Sequence, residues 1–158
     1  MQGLLNTRQM VQVGYIVKDI ETTKKKYAEF LGVPVPPTMQ STGGEAGFKV
    51  TRTVYKDQEA PHIDSKLAFF NVGGPMDIEL IEPNEAESIW RDYLEKYGEG
   101  IQHIAFVVDD LDECIENCEK FGMKMIQKGY FAAQDGRYAY MDAYDSLKTV
   151  VELLERWS

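Results

Sequence analysis

The stretch His103–Met125, HIAFVVDDLDECIENCEKFGMKM, decides the fold because an earlier stretch, Gln12–Val35, QVGYIVKDIETTKKKYAEFLGVPV, is written to the same plan. Each opens on a polar residue, runs through a short β-branched and aromatic segment, and reaches an aspartate seven positions on, Asp19 or Asp110. The apolar run reads as a strand. The aspartates read as helix N-caps, whose carboxylates accept the orphan amides of a first turn. Ile20, Tyr27 and Leu31 in one copy, and Leu111, Ile115 and Cys118 in the other, fall on one helical face. Gly32 and Gly122 stop the two helices as C-terminal caps. A strand and a helix written twice make an internal repeat.

Working outward, three strand-like runs follow each helix: FKVTRTVYK, KLAFFNV and DIELIEP after the first, and MKMIQK, RYAYMDA and TVVELLE after the second. Each half therefore reads β-α-β-β-β, an α+β class. One domain over 1–158 is expected, with a first module at 10–83, a linker helix at 84–100 and a second module at 101–155. The linker, NEAESIWRDYLEKYGEG, sets Ile89, Trp90, Tyr93 and Leu94 on one side, and Pro83 and Gly98 punctuate its ends. Pro34–Gly47, PVPPTMQSTGGEAG, is turn-rich and is the candidate for a mobile loop over a site. Neither half buries both faces of its sheet alone, so the two are expected to pair within the chain or across a homodimer.

Composition narrows the function. With 158 residues and 44% hydrophobic content the chain is long enough for a sizeable core. It contains 26 acidic against 17 basic side chains, a net charge of −9 that argues against nucleic acid or an anionic membrane as partner. Small molecules are the expected ligands. The amino terminus, MQGLLNTRQM, lacks the regions of a secretory signal, and no apolar run is long enough to span a bilayer, so a cytoplasmic location is expected. Cys114 and Cys118, four apart on one helix, suit neither a disulfide framework nor a metal pair and read as small apolar core positions.

Four polar residues interrupt the apolar strands, at positions the repeat makes equivalent in pairs. Gln12 and His103 open the first strands of the two halves; Glu79 in DIELIEP and Glu152 in TVVELLE lie near their ends. Ile78 and Leu80 flank Glu79, and Val151 and Leu153 flank Glu152, so with a period of two the carboxylates face away from the helices. Two buried carboxylates converging with an imidazole repel unless a cation neutralises them. An imidazole nitrogen, two carboxylates and an amide oxygen suit a divalent metal such as zinc, cobalt, nickel, manganese or ferrous iron. The competing readings are a hydrogen-bonded core histidine and glutamates on a solvated face.

Taken together and in order, QVGYIVKD, IELIEP, HIAFVVDD and VVELLE resemble the vicinal-oxygen-chelate superfamily, which includes glyoxalase I, methylmalonyl-CoA epimerase, extradiol dioxygenases and bleomycin-resistance proteins. The resemblance extends from about Met10 to Glu155. It implies paired β-α-β-β-β modules forming an open, curved mixed sheet around a metal cleft, with Gln12, Glu79, His103 and Glu152 as metal ligands. It further implies proton removal next to a carbonyl through a metal-stabilised enediolate, with Glu152 or Glu79 as the catalytic base. The set Gln, Glu, His, Glu is similar to animal-type glyoxalase I, whereas IELIEP and GEGIQHIAFVVDDLDE look more like methylmalonyl-CoA epimerase.

Where glyoxalase I-like enzymes grip glutathione, this chain has Ile16, Pro83 and Glu99, none of which supplies the expected contact. The function implied is thus a metal-dependent isomerase or epimerase of methylmalonyl-CoA epimerase type, acting on a small acyl-thioester or 2-oxo substrate. Lactoylglutathione lyase activity and non-catalytic binding of a small molecule such as an antibiotic are the alternatives; dioxygenase chemistry, which favours two histidines and one carboxylate, is disfavoured by Gln12. Lys128, Arg137 and Lys148 are the cations available for the phosphates of a CoA ester, and His62 has no assigned role.

Overall fold

The computed structural model describes residues 1–43 and 47–158. In chain order its elements are β1 (Met10–Ile16), α1 (Ile20–Leu31), β2 (Met39–Gln40), α2 (Gly47–Thr51), β3 (Val54–Tyr55), β4 (Gln58–Glu59), β5 (Ser65–Asn71), β6 (Asp77–Pro83), α3 (Ile89–Tyr97), β7 (Gly100–Val108), α4 (Leu111–Lys120), β8 (Lys124–Tyr130), β9 (Gly136–Asp142), α5 (Tyr144–Leu147) and β10 (Val150–Arg156). The two aspartates cap as the repeat requires: Thr22 N–H donates to Asp19 at 3.1 Å, and Glu113 N–H to Asp110 at 3.0 Å. Gly32 ends α1 in the left-handed conformation, and Gly122 follows α4 with a positive φ.

Among the described residues the strands form one open, curved mixed sheet in the order β2-β5-β6-β1-β7-β10-β9-β8-β3-β4. The halves mirror each other about the antiparallel β1–β7 seam. On either side of it the first strand pairs in parallel with the last of its half, β6 or β10. Helix α4 covers one wing, with Leu111, Cys114 and Cys118 packed on Met125, Met141 and Leu153. Helix α1 covers the other, with Ile20 and Ala28 on Ala68, Phe70 and Leu80. Tyr27 and Leu31 lie at the edge of that contact, while Lys24 is buried and sends its ammonium to Thr38 at 2.6 Å and Glu21 at 3.0 Å. Both cysteines are buried and free, and no helix among the described residues is long and apolar enough to cross a membrane.

Leu80 and Leu153, fully buried under the helices, set the register that aims their neighbours Glu79 and Glu152 at the opposite, concave face. Burying one leucine is worth roughly 1.5–3 kcal/mol, and a slip of one residue would exchange leucine for glutamate in the core.

FKVTRTVYK is not the strand expected of it. Its first part is α2, Arg52 turns left-handed at φ 46, and only Val54–Tyr55 pairs, with β8 at the far edge of the other half. The β-branched residues favour a strand locally, but tertiary packing prevails: Tyr55 enters the cluster of Ile16, Trp90 and Tyr140, and Thr51 O approaches Gly129, where an added Cβ would lie 3.1 Å away. The second-strand place in the first half falls to β2, against β5, from within the turn-rich Pro34–Gly47 segment. Pro34, Pro36 and Pro37 just before it lack amide donors, which keeps that strand to two residues. Residues 44–46 of the expected mobile loop lie outside the described residues.

Candidate metal centre

Four adjacent strands, β6, β1, β7 and β10, each turn one polar side chain to the concave face: Glu79, Gln12, His103 and Glu152. All four come from one chain. His103 is 0% exposed, and the other three are 5–6% exposed, so none is a solvated surface group. His103 Nε2 lies 3.1 Å from Glu152 Oε2, 3.4 Å from Glu79 Oε2 and 3.3 Å from Gln12 Oε1. The inward atom of the Gln12 amide is 2.8 Å from Glu79 Oε2 and 3.0 Å from Glu152 Oε2.

The protonation of the imidazole follows from its far side. Gln102 donates its amide N–H to Ile89 O at 3.0 Å, which turns its oxygen to His103 Nδ1, also at 3.0 Å. Nδ1 therefore carries the hydrogen, and Nε2 is the atom presented to the glutamates. Gln102 and His103 are neighbours on β7, yet both are buried on this side, because the pairing of β1 with β7 skips from Gly14↔His103 to Tyr15↔Ile101. Gln102 is the extra residue of that bulge, re-aimed beside the histidine. Tyr140 closes the other side edge-on, its ring 5.1 Å from the imidazole at 78°, and is itself braced by Trp90.

Burial alone would lower the pKa of His103, but its hydrogen bond to Glu152, the Glu152 charge and then Glu79 outweigh that and raise it to about 9. Burial pushes Glu79 up, opposed by its hydrogen bond with His103 and reinforced by the Glu152 charge. Without another cation the centre thus holds a proton on the imidazole. The Gln12 amide distinguishes two states: with nitrogen inward it donates to both glutamates, and with oxygen inward it faces both carboxylates and can accept only from a protonated His103 Nε2, 3.3 Å away. Only a positive charge among them makes the second state favourable. Ligand atoms at about 2.0–2.2 Å from one metal stand about 2.8–3.6 Å apart in octahedral or tetrahedral geometry, a range that holds the separations of 2.8–3.4 Å made here by His103 Nε2 and by the Gln12 amide. Glu79, His103 and Glu152 offer ligand atoms all within 4.8 Å of one another.

Gly14, on the strand opposite His103, is a residue the sequence reading passed over. An added Cβ there would lie 1.9 Å from His103 Cε1, so the ring rests directly against the glycine backbone. A glycine inside a strand is the available signal of such an approach. The centre opens into a cleft of about 520 Å³ walled by Leu67, Phe69, Trp90, Phe131, Tyr138 and Leu154. None of the three cations named as available for phosphates lines it. Arg137 is engaged by Glu155 and by Asp112 at 3.1 Å, Lys148 donates to Asp145 O at 2.8 Å, and Lys128 lies exposed on β8. Arg156 is the cation at the cleft wall among the described residues.

A family model described as the glyoxalase/bleomycin resistance protein/dioxygenase superfamily matches residues 11–141. The chain is 32% identical over 90 residues to the uncharacterized protein YqjC of Bacillus subtilis (strain 168), across 56% of this chain and 64% of that protein. It thus covers just under two thirds of that relative's length. Methylmalonyl-CoA epimerase from Mycobacterium tuberculosis superposes with a TM-score of 0.64 at 21% identity, over 100% of this chain and 93% of that one. A Streptomyces coelicolor methylmalonyl-CoA epimerase variant in complex with 2-nitronate-propionyl-CoA gives 0.65 at 21%, over 95% and 98%. A hypothetical protein from Bacillus halodurans C-125 gives 0.64 at 22%, over 95% of each chain. At these identities the structural likeness establishes the fold.

Proposed function

The chain belongs to the glyoxalase/bleomycin resistance protein/dioxygenase superfamily, and from that premise we propose a metal-dependent isomerase or epimerase that removes a proton from a carbon next to a carbonyl, of methylmalonyl-CoA epimerase type. The observation that carries the reading is the convergence of Gln12, Glu79, His103 and Glu152 on one buried point, with His103 Nε2 3.1–3.4 Å from the other three and the ligand atoms of Glu79, His103 and Glu152 all within 4.8 Å of one another. These residues fit zinc, cobalt, nickel or manganese as the bound cation. When bound, such a cation supplies the positive charge that polarises a substrate carbonyl and acidifies the neighbouring C–H.

The chain's own groups do the rest. Glu79 and Glu152 come from different halves and flank the point from two sides. One glutamate, ionised, takes the proton from one face of the substrate carbon, and the other, entering protonated, gives its proton to the opposite face, which inverts the carbon and leaves the two with exchanged protonation states. The carboxylate acting as base turns from the ligand set to the substrate. The aromatic wall excludes water, and Gln102 and Tyr140 hold the imidazole in one tautomer and orientation. Glutathione is a poorer fit: Ile16 is fully buried, and Glu99 is occupied by the Lys18 N–H at 2.8 Å.

The test is metal analysis of the purified protein followed by NMR of methylmalonyl-CoA in deuterated water. Near one equivalent of divalent metal and exchange of the proton next to the carbonyls are expected, with Glu79→Gln or Glu152→Gln slowing exchange by about 10²–10⁴-fold. A protein that takes up none of the four metals and exchanges nothing is better described as a binding module.

Metal affinity should depend on pH in one direction. The metal-free imidazole keeps its proton up to about 9, and a metal must displace it. Apparent affinity is therefore expected to rise about tenfold per pH unit between about 6 and 9. Competition with a chromophoric chelator measures this, and a flat profile would mean that His103 is not a ligand.

A further inference from the structure

The segment FKVTRTVYK does more than extend a sheet edge. By running α2 and β3 along β8, it sets Lys49 and Arg52 in a groove of about 390 Å³ together with Val50, Tyr130, Gln134 and Trp157. Tyr130 and Trp157 also line the cleft of the metal centre, so the two depressions adjoin at that pair of rings. Their centroids lie 6.0 Å apart at 58°. Trp157 is held although half of it is open, with its backbone N–H donating to Asp135 O at 2.8 Å and its indole N–H to Glu155 at 3.4 Å. Lys49 and Arg52 are exposed, and neither has an ion-pair partner among the described residues. No carboxylate lines the groove among the described residues, in a chain with 26 acidic and 17 basic side chains. Glu155, which accepts from the Trp157 indole, and Asp135, at the cleft wall with Arg156, are the anions next to the ring pair among the described residues.

Two exposed cations beside two ring faces held in place suit a ligand that joins phosphates to a planar heterocycle. We infer that Lys49, Arg52, Tyr130 and Trp157 form a second subsite, adjoining the metal cleft at the two rings, for the phosphorylated nucleotide end of an acyl-thioester substrate. This rests on the isomerase reading, for which it names the carrier and the residues that grip it. Lys128, Arg137 and Lys148 have no part in it.

Adenosine 3′,5′-bisphosphate is the probe, because it carries the ring and phosphates without a carbonyl, the acidic C–H next to one, or a thiol. Titrated calorimetrically into the metal-loaded protein, it is expected to bind, and to bind more weakly at about 200 mM than at about 50 mM salt. A Lys49→Ala/Arg52→Ala variant is expected to bind it about tenfold or more weakly with unchanged metal content, and Trp157→Ala to weaken it while leaving inorganic phosphate binding unaltered. With an acyl-CoA substrate the double variant should raise KM and leave kcat in place, while an acyl thioester of N-acetylcysteamine is handled equally by both proteins. No binding of the bisphosphate by the wild-type protein, or equal binding by the double variant, overturns the subsite. Because the probe undergoes no chemistry, this result is independent of whether proton exchange is observed.

Discussion

A His103→Ala protein is expected to lose its metal and, with chelator present, to unfold well below the metal-free wild type. In the metal-free centre the imidazolium stands 3.1 Å from Glu152 and 3.4 Å from Glu79, both nearly withdrawn from water. Removing that cation leaves two carboxylates facing each other with, among the described residues, only the Gln12 amide to donate to them. Stripping one partner from a buried ion pair costs about 3–5 kcal/mol, a large share of the roughly 5–15 kcal/mol available to a domain. Adding Glu152→Gln to His103→Ala removes one of the opposed charges and should recover much of that loss without restoring the metal. If the double variant melts no higher than the single, the loss comes from the vacated ring volume and not from charge. The penalty should shrink at lower pH, because Glu79, its pKa already raised by burial, takes up a proton there and ends the repulsion. The metal-free wild type has the opposite sensitivity. The raised pKa of His103 gives stability that is complete below about 6.5 and lost as pH rises through about 9. Melting curves across that range, with and without metal, read both effects.

The parts of this centre that were legible in the sequence are those that break a pattern. Gln12, Glu79, His103 and Glu152 stand out because each is polar where the period of a strand demands an apolar or outward residue, and because the repeat sets them in matching pairs. Leu80 and Leu153, which aim the glutamates, were legible by the same alternation, and Asp19 and Asp110 by capping chemistry. Gln102 escaped because a bulge moves it to the face of its neighbour, and alternation alone assigns it to the other side. FKVTRTVYK escaped because Val50, Thr51, Thr53 and Val54 favour a strand in isolation. What decides its course is distant in sequence: the cluster that takes Tyr55 and the space left by Gly129. The basic groove went unseen with it, since no local signal ties Lys49 and Arg52 to Trp157. Met39–Gln40 lies within a proline-rich stretch, and its pairing depends on the exposed edge of β5 rather than on its own propensity.

Gly14→Ala tests whether the seam was built around the histidine. The alanine methyl would lie 1.9 Å from Cε1 and 2.4 Å from both ring nitrogens of His103, contacts that require something to move. The ring is not free to yield, with Gln102 bound to Nδ1 and Tyr140 packed edge-on. The strain must open the β1–β7 pairing, the junction of the two halves, or expel the imidazole from the centre. Overpacking in a core commonly costs about 1–3 kcal/mol and more where nothing can relax, and the upper end is expected here together with loss of metal. The partner experiment is Gly14→Ala in the His103→Ala background, where the offending ring is gone and the added methyl enters the space it leaves. That double variant should be as stable as His103→Ala alone, a coupling of about 0.5–3 kcal/mol or more in a cycle read by urea unfolding. Additive losses would place the strain in the β1 backbone instead of at the ring. A Gly14→Ala protein with wild-type stability and full metal content would mean that the imidazole can stand away from β1, and the glycine would then have no part in holding Nε2 toward Glu79 and Glu152.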